Sequence, residues 1–160
     1  MQKRISYKAE ELVPVMLRSF AEGKRVIILA TGNSMAPLIR NNRDSIVLTG
    51  YRGETLSVGD IIFYKRRDGR YVLHRIVDKT SNSSFVTLGD NQTNGEEIVN
   101  PKDIIALPVS VIRDEKELSL NSKRYRLYTR LWGKKSVFRW THIRYFKFRI
   151  KLSRFIKKVI

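Results

Sequence analysis

The chain has 160 residues, of which 42% are hydrophobic and 10% aromatic, and it contains no cysteine. This composition excludes wholesale disorder and predicts one folded domain with an appendage, because domains of roughly 100–150 residues are the commonest size. The lack of cysteine excludes disulfides, cysteine-based metal sites and a cysteine nucleophile. No apolar run approaches the about 20 residues that span a bilayer, so neither a transmembrane helix nor a signal-peptide core is predicted.

The net charge of +17 is distributed unevenly along the chain. Residues 123–160 hold 14 Lys or Arg and no Asp or Glu, whereas residues 1–122 carry a net charge of only +3. We therefore divide the chain into an N-terminal helical segment (residues 1–24), a β domain (residues 25–122) and a basic C-terminal extension from residue 123 onward.

Hydrophobic periodicity predicts one helix followed by a series of strands. The helix covers residues 7–22 and starts or bends near Pro14, because apolar residues recur there at helical spacing: Leu12, Val15, Met16 and Phe20. Runs rich in β-branched residues predict strands at residues 25–31, 44–49, 61–65, 71–78, 85–88 and 104–113. Asp68-Gly69 between two such runs is a strong hairpin signal. The predicted fold class is therefore mainly β, with a short N-terminal helix and a turn of helix after Ser34.

The basic extension has the pattern of an amphipathic helix. One face collects Tyr145, Phe148, Leu152, Phe155, Ile156 and Val159, and most of the cations fall on the other face. This segregation favours docking on an anionic membrane surface, with aromatic rings at the headgroup level. Nucleic acid is a second candidate partner, because cations can contact phosphates while the interleaved rings stack on bases. A tail that is merely solvated is the third.

Three segments carry residues suited to hydrolytic chemistry: Gly32-Asn33-Ser34-Met35-Ala36-Pro37, Gly59-Asp60-Ile61-Ile62-Phe63-Tyr64 with Tyr71-Val72-Leu73-His74-Arg75-Ile76-Val77, and Leu88-Gly89-Asp90-Asn91. A serine nucleophile needs a neighbouring base and a backbone that presents it outward, and Gly32 and Pro37 bracket Ser34 as a sharp turn requires. Alternatively, Ser34 only caps a short helix. Taken alone, His74 between apolar neighbours is more often a core residue than a catalytic one.

In this order and spacing, the three segments resemble the type I signal peptidases, within the superfamily that also holds the LexA-type self-cleaving repressors. The resemblance covers about residues 25–112 and implies coiled antiparallel β-sheets. It implies that Ser34 is the nucleophile, with its backbone N–H in the oxyanion hole, and that His74 is the general base. The endoplasmic-reticulum, archaeal and some bacterial enzymes have His at this position, whereas most bacterial enzymes and the repressors have Lys.

The third catalytic member is assigned from the same resemblance. Asp90 matches the Gly-Asp-Asn of the family, whose members often carry a further Asp a few residues later. Here the later position holds Glu96 and Glu97, so Glu96 competes with Asp90 for the role. The alternative is that the Asp90 segment is an ordinary turn. Asp60 and Asp44 are interpreted as structural turn or strand-entry residues.

These observations predict a serine endopeptidase that cleaves leader or signal-type peptides, bound in extended conformation with small residues before the cut. No phosphate loop and no cluster with metal-ligand spacing occurs, so no cofactor and no metal are predicted. Because no N-terminal membrane anchor is predicted, we expect peripheral association with the membrane, on its cytoplasmic side. The alternative function is a non-enzymatic or self-cleaving regulator whose basic tail binds nucleic acid.

Overall fold

The structure is a computed structural model that describes residues 9–131, 141 and 143–145. It is mainly β, as predicted, with one antiparallel sheet of eight strands and a few short helices. The strands are β1 (Val26–Leu29), β2 (Ser45–Gly50), β3 (Ile61–Lys65), β4 (Tyr71–Lys79), β5 (Phe85–Leu88), β6 (Glu97–Val99), β7 (Ile104–Arg113) and β8 (Lys116–Ser119). The helices are α1 (Ala9–Ala21), α2 (Lys123–Leu131) and the 3₁₀ turn Pro101–Asp103.

The order of strands across the sheet is β1-β2-β7-β3-β4-β5-β6, and β8 pairs with β7 beside this path. The hairpin predicted at Asp68-Gly69 is confirmed, because β3 and β4 pair directly and the Arg66 N–H donates to the Arg70 carbonyl oxygen at 2.8 Å. Long-range pairing brings β7 between β2 and β3. This pairing places the strand that precedes Ser34 and the strand that carries His74 in one sheet.

All six predicted strand runs are strands in the structure, whereas β6 and β8 were not predicted. β6 has three residues, too few to show an alternating pattern, and all four residues of β8 are exposed. A hydrophobic pattern can reveal only strands that bury one face, so β6 and β8 could not be predicted from it. Both strands form because their backbones pair with those of longer neighbours, β5 and β7.

Helix α1 packs its apolar face on the sheet. Val13, Met16 and Phe20 are buried in the same hydrophobic cluster as residues of β2, β3 and β7. The contact with β2 is close: a Cβ on Gly50 would lie 2.7 Å from the Phe20 Cβ, so only glycine fits there. Gly23 ends the helical segment with φ +74°, a conformation that glycine adopts without steric cost. Helix α1 therefore belongs to the core.

The sheet buries side chains on both faces. Ile61 and Phe63 of β3 pack into the cluster beneath α1, while Ile62 and Tyr64 pack into a second cluster with residues of β4 to β7. Alternation along β3 thus sends successive apolar residues to two different cores, which explains its continuous apolar run. Among the helices in the described part of the chain, none combines the length and the apolar character that crossing a bilayer requires.

Candidate active site

Ser34 lies in a turn that follows β1. The Ile39 N–H donates to the Met35 carbonyl oxygen at 2.9 Å, but residues 34–38 form a turn rather than the turn of helix that was predicted after the serine. Ser34 is partly exposed, and within the described residues its hydroxyl makes no hydrogen bond. It lines a cavity of about 130 Å³ whose other walls are mainly apolar: Ile28, Ala30, Met35, Phe63, Tyr71 and Leu73. The hydroxyl is therefore free at the mouth of a small apolar cavity.

A buried charge cluster anchors the far end of this turn. Asp44 is fully buried and accepts hydrogen bonds from the Arg40 backbone N–H at 2.9 Å and from Arg113 Nη2 at 2.7 Å. Arg113 Nη2 also donates to the Leu38 carbonyl oxygen at 2.6 Å. Burial alone would raise the pKa of Asp44, but the hydrogen bonds from Arg113 and Arg40 hold that pKa below its ordinary value. An ionised Asp44 thus ties the Ser34 turn to β7.

The Leu88-Gly89-Asp90-Asn91 segment packs directly on Ser34. A Cβ on residue 89 would lie 2.7 Å from the Ser34 carbonyl oxygen and 3.0 Å from the Ser34 Cβ, so glycine is required for this approach. The Asn91 N–H donates to the Ser34 carbonyl oxygen at 2.7 Å, and Asn91 Nδ2 donates to the Asn33 carbonyl oxygen at 3.2 Å. The first and third sequence motifs therefore meet at Ser34.

His74 lies on β4, only 4% exposed, opposite Ile62 of β3. Burial lowers the pKa of its imidazole below the ordinary value; the charge on Glu97 opposes this shift and that on Arg66 adds to it. The ladder between β4 and β5 pairs Arg75 with Leu88. His74 precedes Arg75, and Gly89 follows Leu88. In an antiparallel ladder this places His74 opposite Gly89, just beyond the last paired residues. Gly89 thus lies between the strand of His74 and the turn of Ser34.

Nδ1 of His74 faces the Tyr64 hydroxyl at 3.3 Å. The same hydroxyl donates to Glu97 Oε2 at 2.8 Å and lies 2.9 Å from Thr87 Oγ1. Glu97 is also ion-paired with Arg66. Neither Tyr64 nor Glu97 was predicted as a site residue; the predicted competitor of Asp90 was Glu96, which is exposed. Alternation of side chains along the strand could have indicated that Glu97 rather than Glu96 faces inward. Three residues are too few to establish such an alternation.

Asp90 is fully buried, and both of its carboxylate oxygens are bound by Arg75. Arg75 Nε donates to Oδ1 at 2.7 Å and Nη2 donates to Oδ2 at 2.6 Å, while the Tyr128 hydroxyl donates to Oδ2 at 3.1 Å. Burial disfavours the charged form of Arg75 and so lowers its pKa. The adjacent Asp90 carboxylate outweighs this effect and raises the pKa of the guanidinium above its ordinary value. Asp90 therefore neutralises a buried cation and holds α2 on the sheet.

The remaining contacts of Arg75 extend this role. Its Nη1 donates to the Gly59 carbonyl oxygen at 2.6 Å and to the Tyr125 hydroxyl at 3.0 Å. The guanidinium also lies 5.8 Å from the Tyr125 ring and 5.7 Å from the Tyr128 ring, within the range of cation–π attraction. The start of the basic extension is thus packed against the β domain through α2. Asp60 accepts from the Ser57 N–H at 2.7 Å, as expected of a turn residue.

The fold brings Ser34 against Gly89 and Asn91, His74 against Tyr64, and Asp90 against Arg75. No hydrogen bond joins the Ser34 hydroxyl to His74 within the described residues. In the same part of the chain, no three His, Cys, Asp or Glu side chains are grouped to hold a metal ion. Comparison of the chain with protein-family models, with curated proteins and with solved structures finds no match.

Proposed function

We propose that this protein is a serine endopeptidase with a fold similar to that of the type I signal peptidases and the LexA-type catalytic domain. Ser34 is its nucleophile and His74 its general base, and its substrates are leader or signal-type peptides. The observation that carries the proposal is the close approach of Gly89 to Ser34 at the end of the ladder that holds His74. Three segments far apart in the sequence converge there, around a serine whose hydroxyl makes no hydrogen bond to any residue that the structure describes.

The protonation state of His74 supports its role as a base. A lowered pKa means that the imidazole is neutral at neutral pH, and only the neutral ring can accept the serine proton. The absence of a Ser34–His74 hydrogen bond is compatible with this role, because catalytic hydrogen bonds are often long without substrate and shorten in the complex.

The reaction begins when the Ser34 oxygen attacks the peptide carbonyl carbon while His74 accepts the hydroxyl proton. His74 then delivers that proton to the leaving amine as the C–N bond breaks, which leaves an acyl-enzyme on Ser34. Water, activated by the same imidazole, hydrolyses the ester and restores the serine. By resemblance to the signal peptidases, the Ser34 backbone N–H helps to stabilise the oxyanion.

The surface beside Ser34 suits an extended peptide. β1 is the terminal strand of the described sheet on one side, so its outer backbone groups can pair with a substrate strand. It leads into the Ser34 turn, and the cavity of about 130 Å³ beside Ser34 offers an apolar site for a side chain near the scissile bond. An engineered cavity of about 150 Å³ is large enough for benzene, so this one accommodates small and medium apolar side chains but not large aromatic ones.

Labelling with an acylating serine-protease inhibitor, followed by mapping of the modified residue, tests the proposal. We expect modification of Ser34 at a rate that rises with pH through one ionisation below about 6.5, since His74 must be neutral and its pKa is lowered. The His74→Ala variant is expected to lose both the fast labelling and this ionisation. Modification at another residue, or an unchanged pH profile in His74→Ala, would refute the assignment.

The membrane partner is a separate proposal about the basic extension. Most of its predicted apolar face lies outside the described residues; of that face, Tyr145 is described and is 60% exposed. In the described helix α2, Lys123, Arg124, Arg126 and Arg130 are exposed, as a surface that meets anionic headgroups requires. We propose that the extension binds the membrane peripherally.

Flotation with liposomes tests this proposal on the full chain and on a variant ending at residue 135, which keeps α2 on the sheet. We expect the full chain to bind anionic vesicles much more strongly than neutral ones, and the shorter variant to bind anionic vesicles much more weakly. Added salt should weaken binding without abolishing it, since screening leaves aromatic burial intact. Equal binding to both vesicle types would refute the anionic membrane surface as partner, and tight RNA or DNA binding without vesicle binding would favour the regulator function instead.

A further inference from the structure

The hydroxyl of Tyr64 lies at the meeting point of polar groups from four strands. Tyr64 itself is on β3 and only 1% exposed. Its oxygen lies 2.8 Å from Glu97 Oε2 on β6, 2.9 Å from Thr87 Oγ1 on β5 and 3.3 Å from His74 Nδ1 on β4. A buried hydroxyl with three polar neighbours has only one proton to share, so the direction of each hydrogen bond can be worked out.

Glu97 determines where the phenol proton lies. Its carboxylate forms an ion pair with Arg66, whose Nε donates to Oε2 at 2.9 Å, and its side chain is 21% exposed beside a cleft of about 410 Å³. An ionised carboxylate only accepts hydrogen bonds, so Tyr64 must donate its single proton to Glu97. Burial raises the pKa of the Tyr64 phenol, which keeps that proton on the oxygen.

The Tyr64 oxygen can then only accept from its other neighbours. The contact at 3.3 Å therefore requires a proton on His74 Nδ1, which leaves the Nε2 lone pair free. A general base needs this tautomer, because its other ring nitrogen must accept the serine proton. We propose that Glu97, acting through Tyr64, fixes the Nδ1–H tautomer and the orientation of His74; the catalytic use of this tautomer rests on the proposed function.

This arrangement makes Glu97 and Tyr64 positioning residues. Glu97 does not contact the imidazole, and one hydroxyl separates the two groups. Asp90 contributes a charge that favours the protonated ring, but Arg75 binds both of its oxygens. Arg66 opposes ring protonation, and Glu97 favours it. The charged groups that act on His74 are therefore Glu97, Arg66 and Asp90, and among these Glu97 alone is linked to Nδ1 by a hydrogen-bonded hydroxyl.

Nitrogen-15 NMR of the full chain with labelled histidine tests the inference, because protonated and bare ring nitrogens resonate far apart. The sequence has only one other histidine, His142, and the His142→Gln variant removes its signals. We expect the wild-type His74 ring to carry its proton on Nδ1 at pH values above its pKa. In Tyr64→Phe we expect a mixture of both tautomers or the Nε2–H form, since the acceptor at Nδ1 is gone.

The Glu97→Gln variant separates hydrogen bonding from charge. A Gln carbonyl oxygen still accepts from Tyr64, so the Nδ1–H tautomer should persist while the pKa of His74 falls, because a favourable negative charge is lost. Glu96→Gln is the matched control on the neighbouring exposed residue, and Tyr51→Phe is the control for loss of a tyrosine hydroxyl beside the same hydrophobic cluster. Both controls should leave the tautomer and the pKa unchanged.

Failure of the inference and failure of the proposed function are distinguishable. A bare Nδ1 in the wild type, or an unchanged tautomer in Tyr64→Phe, overturns the inference even if the protein cleaves peptides. If Tyr64→Phe does not fold, the wild-type tautomer and the pKa shift in Glu97→Gln still decide it. A protonated Nδ1 without any Ser34 reactivity would refute the peptidase alone. In an active enzyme, Tyr64→Phe should lower the rate by about tenfold, less than the 10²–10⁴ that a general base contributes.

Discussion

The Ser34→Ala variant is expected to lose peptide-bond cleavage by about five to six orders of magnitude, as serine peptidases do when the nucleophile is removed. The fold should be unaffected, because the Ser34 hydroxyl makes no hydrogen bond within the described residues and the carbonyl contact with Asn91 remains. A change in the free energy of unfolding within about 0.5 kcal/mol is expected for such a substitution. Cleavage of a quenched peptide library with small residues before the cut measures the activity, and urea unfolding measures the stability.

The matched control is Ser81→Ala, since Ser81 is exposed in the turn between β4 and β5. It should retain full activity and stability. Retained turnover in Ser34→Ala would remove the central proposal, because no other residue is assigned as nucleophile. A large loss of stability in Ser34→Ala would instead show that the serine holds the turn together.

The Asp90→Asn variant is expected to lose about 3–5 kcal/mol of unfolding free energy, because it leaves the buried guanidinium of Arg75 without a counter-charge. A loss of this size is a large fraction of the about 5–15 kcal/mol that stabilises a typical domain. Activity should fall with it, since the Asp90 segment packs on Ser34 through Gly89 and Asn91. We expect Glu96→Gln, on an exposed side chain, to lose much less activity.

Denaturant unfolding of three variants distinguishes the effect of breaking a buried ion pair from the effect of removing any negative charge. Asp68→Asn removes a carboxylate from an exposed pair with Arg70 and should change stability little. The double variant Asp90→Leu with Arg75→Met should recover much of the lost stability, because no unpaired charge remains buried. Equal stability of Asp90→Asn and Asp68→Asn would contradict the role given to Asp90.

The order of elements could be predicted because local patterns decide it. Alternating and β-branched runs predicted six strands, and Asp68-Gly69 predicted the hairpin. Of the residues whose spacing predicted α1, Met16 and Phe20 are buried, whereas Val15 is 60% exposed. Strand β3 shows the limit of such patterns. Its continuous apolar run predicts burial, but only the assembled sheet shows that Tyr64 enters the second cluster rather than the first.

Ser34, His74 and Asp90 could be selected as candidates because their motifs, in this order and spacing, resemble those of the type I signal peptidases. Their hydrogen-bond partners could not be predicted, because a motif does not show which neighbouring side chain a carboxylate binds. His74 and Arg75 are adjacent in the sequence and lie on opposite faces of β4. Asp90 binds Arg75 because a buried permanent cation needs a full counter-charge, whereas a buried neutral imidazole needs only an acceptor.

The sequence by itself thus determined the mainly β class, six of the eight strands and the separation of a nearly neutral body from a basic extension. Only the tertiary structure decided that Glu97 rather than Glu96 faces inward, that Tyr64 lies between Glu97 and His74, and that Gly89 meets Ser34. Strand propensity and charge are local properties of residues. Register and strand pairing depend on contacts between residues far apart in the chain, and a shift of one residue in β6 would turn Glu97 away from Tyr64.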